Sequence, residues 1–524
     1  MRSLSPGQAA RAALRRGSAS LPRLRITIQS RVSSGAAALL LVAGGAALAL
    51  AFPEPSLNPA AWVAIAPLLV CTHRRGTSVG FGYGLLFGLG FFGVLIVWIS
   101  LVGWLAWVFL VVLQSLYVGV FGACWALVSR RSSAAGRILL GAACWVALEY
   151  LRSRFPAEGF SWGQLSQGQH NLSWILRLAP VTGGWGISFL VVSVNALVAE
   201  AWMSWRAGEW RMTAAVVGAA ALLLALPLLL PRPAARGPEI EVAVVQGNVS
   251  QGPPTDIVAG QLGILGRHER GTRNLSSQSP DLVVWPESSV ELDLPGSPAP
   301  LERLRASARA ASAHIIAGVN DDVSEGFYRV MALHVDPAGE VAGSYQKRHR
   351  VPFGEYIPGR RFLEWIPMLD QVPKDALPGE VPGVFELPSG DVAVVISFEG
   401  DFGSLVREPI DAGGRLLVVA TNTSTWGRSW ASAQHLAFSQ VRAAENGVWV
   451  VHGALSGISA FVAPDGAVVA STPLWKATTL LRSVRFSTSE TLYTRAGDFV
   501  AWISVLIAVA GVVAGARLRS APPK

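Results

Sequence analysis

Apolar residues follow two rhythms along this chain. From about residue 35 to 231 they come in long unbroken runs, and one more run lies at 498–516. Between them, over 232–497, short β-branched runs alternate with polar or Ala-rich stretches. A bilayer core of roughly 30 Å takes about 20 apolar residues per helix. The long runs therefore predict eight membrane helices, at about 35–52, 57–71, 78–100, 102–128, 136–151, 181–203, 212–231 and 498–516, of which the second and fifth are short. The short runs predict buried strands at 239–249, 281–287, 314–319, 330–337, 391–397, 415–422 and 447–454. Helical stretches are expected at 298–313 and 434–446. This alternation suits an α+β domain layered as αββα.

Composition agrees. Of 524 residues 51% are hydrophobic and only 15% charged, too apolar for a soluble protein of this length. Net charge is +9, and the position of the basic residues matters more than their number. Arg2, Arg11, Arg15, Arg16, Arg23, Arg25 and Arg31 precede the first run. Alternate short loops then hold Arg74 and Arg75, next Arg130, Arg131 and Arg137, next Arg206 and Arg211, and the C-terminus has Arg517, Arg519 and Lys524. The intervening loops at 53–56 and 100–102 have no basic residue, and 152–180 has only Arg152, Arg154 and Arg177. Cytoplasmic loops are the ones enriched in Lys and Arg. The expected layout is a cytoplasmic basic segment (1–34), a seven-helix membrane domain (35–231), an extracytoplasmic domain (232–497), an eighth membrane helix (498–516) and a cytoplasmic tail (517–524). No small-residue cleavage site leads from the first run into a soluble domain, so that run reads as a retained helix.

Several function classes drop out. No basic run is interleaved with aromatics as a nucleic-acid groove requires. Cys71, Cys124 and Cys144 all lie in or beside apolar runs, so the middle segment has no thiolate site or disulfide framework. The eight His show no ligand spacing. No metal and no cofactor are expected.

Three places in the middle segment pair polar residues with strand ends. In DLVVWPES, Glu287 follows an apolar run and a Pro; alone it also reads as a solvated loop acid. In SYQKRHRVPFGEYIP (344–358), Lys347 sits among Arg348, His349 and Arg350, and a basic surface run is the plain alternative. Only four of the 43 basic residues are Lys, namely Lys347, Lys374, Lys476 and Lys524. Arg keeps its proton in a protein, whereas a buried Lys can act as acid or base, so a Lys retained here points to chemistry. The two flanking Arg could push Lys347 toward neutrality, the state in which a Ser–Lys arrangement uses the Lys as base. In DVAVVISFEGDFGSLVRE (391–408), β-branched residues end at Ser397 before a Gly-containing turn. That is either an elbow presenting a nucleophile or an ordinary buried Ser.

Together these places resemble the Glu-Lys-Cys triad of the carbon–nitrogen hydrolase (nitrilase) superfamily: VVWPES its Glu motif, YQKRHRVPFGEYIP its Lys motif, VISFEGDFG its nucleophile motif. PFGEYIP points within it to the apolipoprotein N-acyltransferase family. So do FGYGLLFGLGFFG (81–93), GGWGISFLVVSVNAL (183–197), SGISAFVAPDGAV (456–468) and LYTRAGD (492–498). The resemblance implies a multi-pass α-helical membrane domain plus a nitrilase-like αββα sandwich, in the bacterial cytoplasmic membrane. It implies a phospholipid acyl donor, a diacylated lipoprotein acceptor and ping-pong acyl transfer to the α-amino group of a diacylglyceryl-cysteine. By resemblance, Glu287 is the general base, Lys347 stabilises the tetrahedral intermediate and residue 397 carries the acyl group. Glu355, Phe398 and Glu399 fall on positions that support the site.

The family nucleophile is Cys; here it is Ser397. A thiol is far more acidic and nucleophilic than a hydroxyl. GPPTD replaces a Lys-Trp pair after QGNVSQ, Tyr328-Arg329 replaces Tyr-Asn, and TNTSTWG (421–427) replaces Asn-Asp-x-Trp. Three functions are compatible with this: an acyltransferase working through an oxyester on Ser397, a catalytically impaired relative that binds lipid or lipoprotein or assists another membrane enzyme, or a hydrolase of small amides or nitriles. Against the last stands the apolar stretch RRFLEWIPML (360–369), with Phe362, Trp365, Ile366, Met368 and Leu369. It reads as a lid dipping into the membrane or as local core packing.

Overall fold

The computed structural model describes residues 34–249, 256–293, 300–363 and 365–520. The expected cytoplasmic segment up to residue 33, most of the GPPTD stretch and Lys524 lie outside them.

All eight apolar runs are helical. Six reach membrane-spanning length: Thr77–Leu95, Trp104–Val128, Ala134–Arg152, Ala179–Arg206, Trp210–Leu229 and Phe499–Arg517. The first two runs are shorter, Gly35–Ala49 and Asn58–Thr72. The closest pairing joins α1 (Thr77–Leu95) and α2 (Trp104–Val128). Gly80, Gly84 and Gly88 stand one turn apart on a single face. A Cβ on Gly80 would strike the Gly122 carbonyl, and one on Gly84 the Val118 carbonyl. Without a hydrophobic drive between helices in lipid, such small-residue stripes are what let backbones meet. In α3 (Ala179–Arg206) the buried Asn195 accepts the Ile65 and Ala66 N–H groups at 2.9 and 3.1 Å. It thereby satisfies donors that open the short helix Ala66–Thr72.

Residues 239–485 form two stacked sheets. The first contains β1 (Glu239–Gln246), β2 (Leu282–Glu291), β3 (His314–Ser324), β4 (Phe327–Val335) and β5 (Val341–Gln346), with the short β6 (Asp375–Ala376) on β4 and a last strand Thr478–Arg485 on β1. The second contains β7 (Gly383–Phe385), β8 (Val392–Ile396), β9 (Leu416–Thr421), β10 (Val450–Ala454), β11 (Ala460–Val462) and β12 (Val468–Ser471), paired in that order. β1–β2–β3 and β8–β9–β10 run parallel.

Period-two alternation explains the layering. Val242, Val244, Val284, Val394 and Val418 meet between the sheets. Ala243, Val245 and Val283 face outward onto the helices Ile257–Arg273 and Pro300–Ala311. Ala393, Val395 and Val419 face outward onto α4 (Gly403–Asp411) and α5 (Ala431–Asn446). The result is the αββα sandwich of a nitrilase-like domain.

Buried polar side chains fasten this sandwich to the membrane helices. The Gln434 side-chain oxygen, on α5, accepts the indole N–H groups of Trp98 and Trp162 at 3.1 and 2.9 Å, and its amide donates to the Leu95 carbonyl at 3.1 Å. Glu445 accepts the Gly184 N–H at 2.7 Å.

Candidate active site

The three motif residues converge at one end of the sandwich. Glu287 leaves the parallel part of β2, where the β2–β3 register shifts between Trp285 and Val290. That irregularity turns its carboxylate out of the ladder, yet the residue is only 6% exposed. Lys347 directly follows β5. Its Nζ donates to Glu287 Oε1 at 3.1 Å and also to Glu355 Oε1. The second Glu287 oxygen accepts the Asn422 N–H at 2.9 Å, and the second Glu355 oxygen accepts the Val351 N–H at 2.9 Å. Among the described lysines Lys347 alone is buried, at 1% exposure.

Ser397 begins the turn between β8 and α4 with φ +50°. A non-Gly residue held in the left-handed region costs of order 1–3 kcal/mol and marks a backbone constrained by its surroundings. Its Oγ lies 3.2 Å from the Thr421 hydroxyl, at the end of the neighbouring β9.

Glu399 is fully buried and acts as a clamp. It accepts the Tyr345 hydroxyl and the Ile396 N–H, both at 2.8 Å, the Arg348 N–H at 2.7 Å and the His349 N–H at 3.1 Å. One carboxylate thus joins the lysine loop to the turn that starts at Ser397. Phe398 packs with its ring parallel to His349 (centroids 5.5 Å) and to Trp162 of the membrane part (6.4 Å). Glu287, Lys347 and Ser397 therefore form one cluster, with Glu355, Phe398 and Glu399 packed about it.

The electrostatics correct one expectation. Arg348 and Arg350 do not drive Lys347 toward neutrality. Arg348 turns away to Glu408 at 2.6 Å, and Arg350 lies 4.0 Å over the Tyr356 ring and 3.6 Å from Glu158. Burial alone would lower the Lys347 pKa, but the carboxylates of Glu287 and Glu355 more than offset it and hold the ammonium charged well above the ordinary lysine range. Burial in turn lifts the Glu287 carboxyl above its usual value, opposed by Lys347 and by the nearby Ser397 hydroxyl. His349 is pushed down to about 4 by burial and by Lys347, Arg348 and Arg350, so it is neutral at pH 7.

Thr421, Asn422 and Tyr345 escaped the sequence reading, although TNTSTWG was singled out as unusual. Behind the turn, the buried Asp401 lies 3.5 Å from His435.

Residues 44–197 match a family model for the apolipoprotein N-acyltransferase N-terminal domain, and residues 241–493 one for carbon-nitrogen hydrolase. The chain is 33% identical over 503 residues to the apolipoprotein N-acyltransferase of Geobacter metallireducens, covering 92% of this chain and 95% of that protein. It is 29% identical over 517 residues to that of Gloeobacter violaceus (94% and 97% covered) and 31% identical over 503 residues to that of Mycolicibacterium smegmatis (90% and 83%). Among solved structures, an amidase from Nesterenkonia sp. aligns with 48% of this chain and 93% of its own, at 18% identity and TM-score 0.35.

Proposed function

Because the chain belongs to the apolipoprotein N-acyltransferase family, we propose that it moves an acyl chain from a membrane phospholipid to the α-amino group of a diacylglyceryl-cysteine lipoprotein through an oxyester on Ser397. The protein is a membrane acyltransferase of the carbon–nitrogen hydrolase superfamily. The donor, the acceptor and the covalent step are the proposal.

In the first half-reaction Glu287 takes the Ser397 proton while Oγ attacks the phospholipid ester carbonyl. The Lys347 ammonium stabilises the resulting oxyanion, for which a fixed positive charge in a buried site is well suited. Collapse breaks the ester bond, and the lysophospholipid oxygen leaves with the proton from Glu287. In the second half-reaction the lipoprotein amine attacks the oxyester, Glu287 takes the amine proton, and Ser397 leaves and recovers a proton. Glu355 holds Lys347 in place, and Glu399 and Phe398 hold the turn. The observation that carries this reading is the buried Lys347–Glu287 contact beside a serine on a φ +50° turn.

Two further features support it. Phe362 and Trp365 are 66% and 78% exposed in the stretch after the lysine motif, where a lid meeting the lipid surface is needed. The sandwich also meets the membrane part through Leu95, Trp98 and Trp162, near loops poor in basic residues. This fits residues 232–497 lying outside the cytoplasmic membrane with both termini inside.

The test is to incubate purified protein with phospholipid bearing a labelled acyl chain and to map the adduct by mass spectrometry. Label on the Ser397 peptide that disappears in Ser397→Ala is expected. If the wild type takes no label, or Ser397→Ala still does, the acyl-enzyme is wrong. The missing thiol then favours an impaired relative that binds lipid or lipoprotein, and failure to complement a transferase-deficient strain would bear that out.

A further inference from the structure

Thr421 carries a hydroxyl that the scheme above leaves unused. Its Oγ1 lies 3.2 Å from Ser397 Oγ, and both side chains are buried. The threonine is delivered by a rigid element: β9 is paired on both sides, by β8 and β10, and the Thr421 carbonyl accepts the Leu455 N–H at 3.0 Å.

The 3.2 Å contact allows either hydroxyl to donate. In the scheme above the Ser397 proton goes to Glu287, and an ionised carboxylate only accepts. With the serine proton used in that direction, the threonine hydroxyl is the one free to donate to Ser397 Oγ.

We infer that Thr421 donates a hydrogen bond to Ser397 Oγ whenever that oxygen carries negative charge, making it a catalytic residue specific to an oxygen nucleophile. This rests on the oxyester reading. The charge develops twice, as Oγ loses its proton to Glu287 and again as Oγ leaves the tetrahedral intermediate formed with the amine. A hydrogen bond to a charged oxygen is roughly twice as strong as a neutral one. Sulfur is a weak acceptor and a thiolate forms readily, so a cysteine at this position would draw little from the same donor.

The experiment is a double-mutant cycle on the full-length protein in liposomes. Wild type, Thr421→Val, Ser397→Cys and the double variant are compared for the single-turnover rate of acyl transfer from labelled phosphatidylethanolamine, with Thr421→Ser as the conservative control. Thr421→Val is expected to slow the serine protein about 10- to 100-fold, the range of a charge-assisted hydrogen bond. It should slow the Ser397→Cys protein less than about threefold, with donor KM nearly unchanged in both, and Thr421→Ser should recover most of the rate. Equal losses in the two backgrounds, or none in the serine protein, would overturn the inference and leave the oxyester reading standing.

A fluorophosphonate probe separates the two ideas, because it reacts with an activated serine without any lipid. Labelling of Ser397 that Thr421→Val abolishes and Thr421→Ser keeps, in a protein that takes no acyl group, would sink acyl transfer from phospholipid and uphold the role of Thr421. A Ser397 that reacts with neither lipid nor probe would overturn both.

Discussion

The Tyr345 hydroxyl donates to the Glu399 carboxylate at 2.8 Å, joining the end of β5 in one sheet to the turn after β8 in the other. Two sheets held mainly by apolar packing are thus pinned at the place where their polar residues must keep register. Tyr345→Phe removes only the hydroxyl and leaves a buried carboxylate short of one donor. A loss of about 1–3 kcal/mol in stability is expected, read as a lower thermal midpoint in detergent. Acyl transfer should fall less in KM than in kcat, because turn geometry rather than lipid binding is disturbed.

Glu287 must be ionised to take a proton. Burial raises its pKa above the ordinary carboxylate value of 4.5, and Lys347 opposes the rise. A raised pKa means the proton persists to higher pH, so acylation should fail on acidification sooner than for an exposed glutamate. The acid limb of the single-turnover rate is expected above 4.5. Lys347→Met removes the opposing charge and should move that limb further upward, besides lowering the plateau. A limb that stays in place in the variant would remove Glu287 from the role of base.

Ser397→Cys restores a nucleophile whose deprotonation costs less. Faster acylation than wild type is expected, with a thioester that hydroxylamine cleaves at neutral pH where the oxyester of the natural chain resists it. Equal lability of the two adducts would place the acyl group elsewhere.

Phe362 and Trp365 stand exposed after the lysine motif. Replacing both by Ser should leave the melting temperature nearly unchanged, since exposed side chains contribute little to folding. It should raise the KM for liposomal phospholipid several-fold. Unchanged KM, or a large drop in melting temperature, would show that the stretch serves packing instead.

The strands that the chain announces are those buried on both faces. β8 and β9 are nearly continuous apolar runs, and β2 and β10 open with such runs, because helices cover one side and a second sheet the other. β5, β6, β7, β11, β12 and the strand Thr478–Arg485 went unforeseen for the opposite reason. They are short or lie at or near sheet edges, where exposed residues such as Ser344 and Arg482 blur the pattern. The helix Ile257–Arg273 was also missed, its periodicity diluted by four glycines and several charges.

Glu287, Lys347 and Ser397 were legible because Lys347 and Ser397 directly follow strands and Glu287 closes the apolar run of β2, each in an uncommon context. Their order along the chain, and the absence of any cysteine from 232–497, needed no coordinates. The eight apolar runs were equally plain, since bilayer thickness acts on contiguous sequence.

Charge state, donor direction and proximity were not legible. Whether Lys347 is neutral depended on which way Arg348 and Arg350 turn and on two carboxylates 8 and 60 residues away. That Glu399 clamps the site, and that Thr421 stands beside Ser397 rather than in a surface loop, depended on two sheets meeting. The sequence by itself determined which segments form long apolar helices, which strands are buried and that an oxygen rather than a sulfur stands at position 397, because these follow from local periodicity and residue chemistry. Tertiary structure decided the protonation of Lys347, the clamp at Glu399 and the second hydroxyl at Ser397. Those depend on through-space contacts and desolvation among residues far apart in the chain.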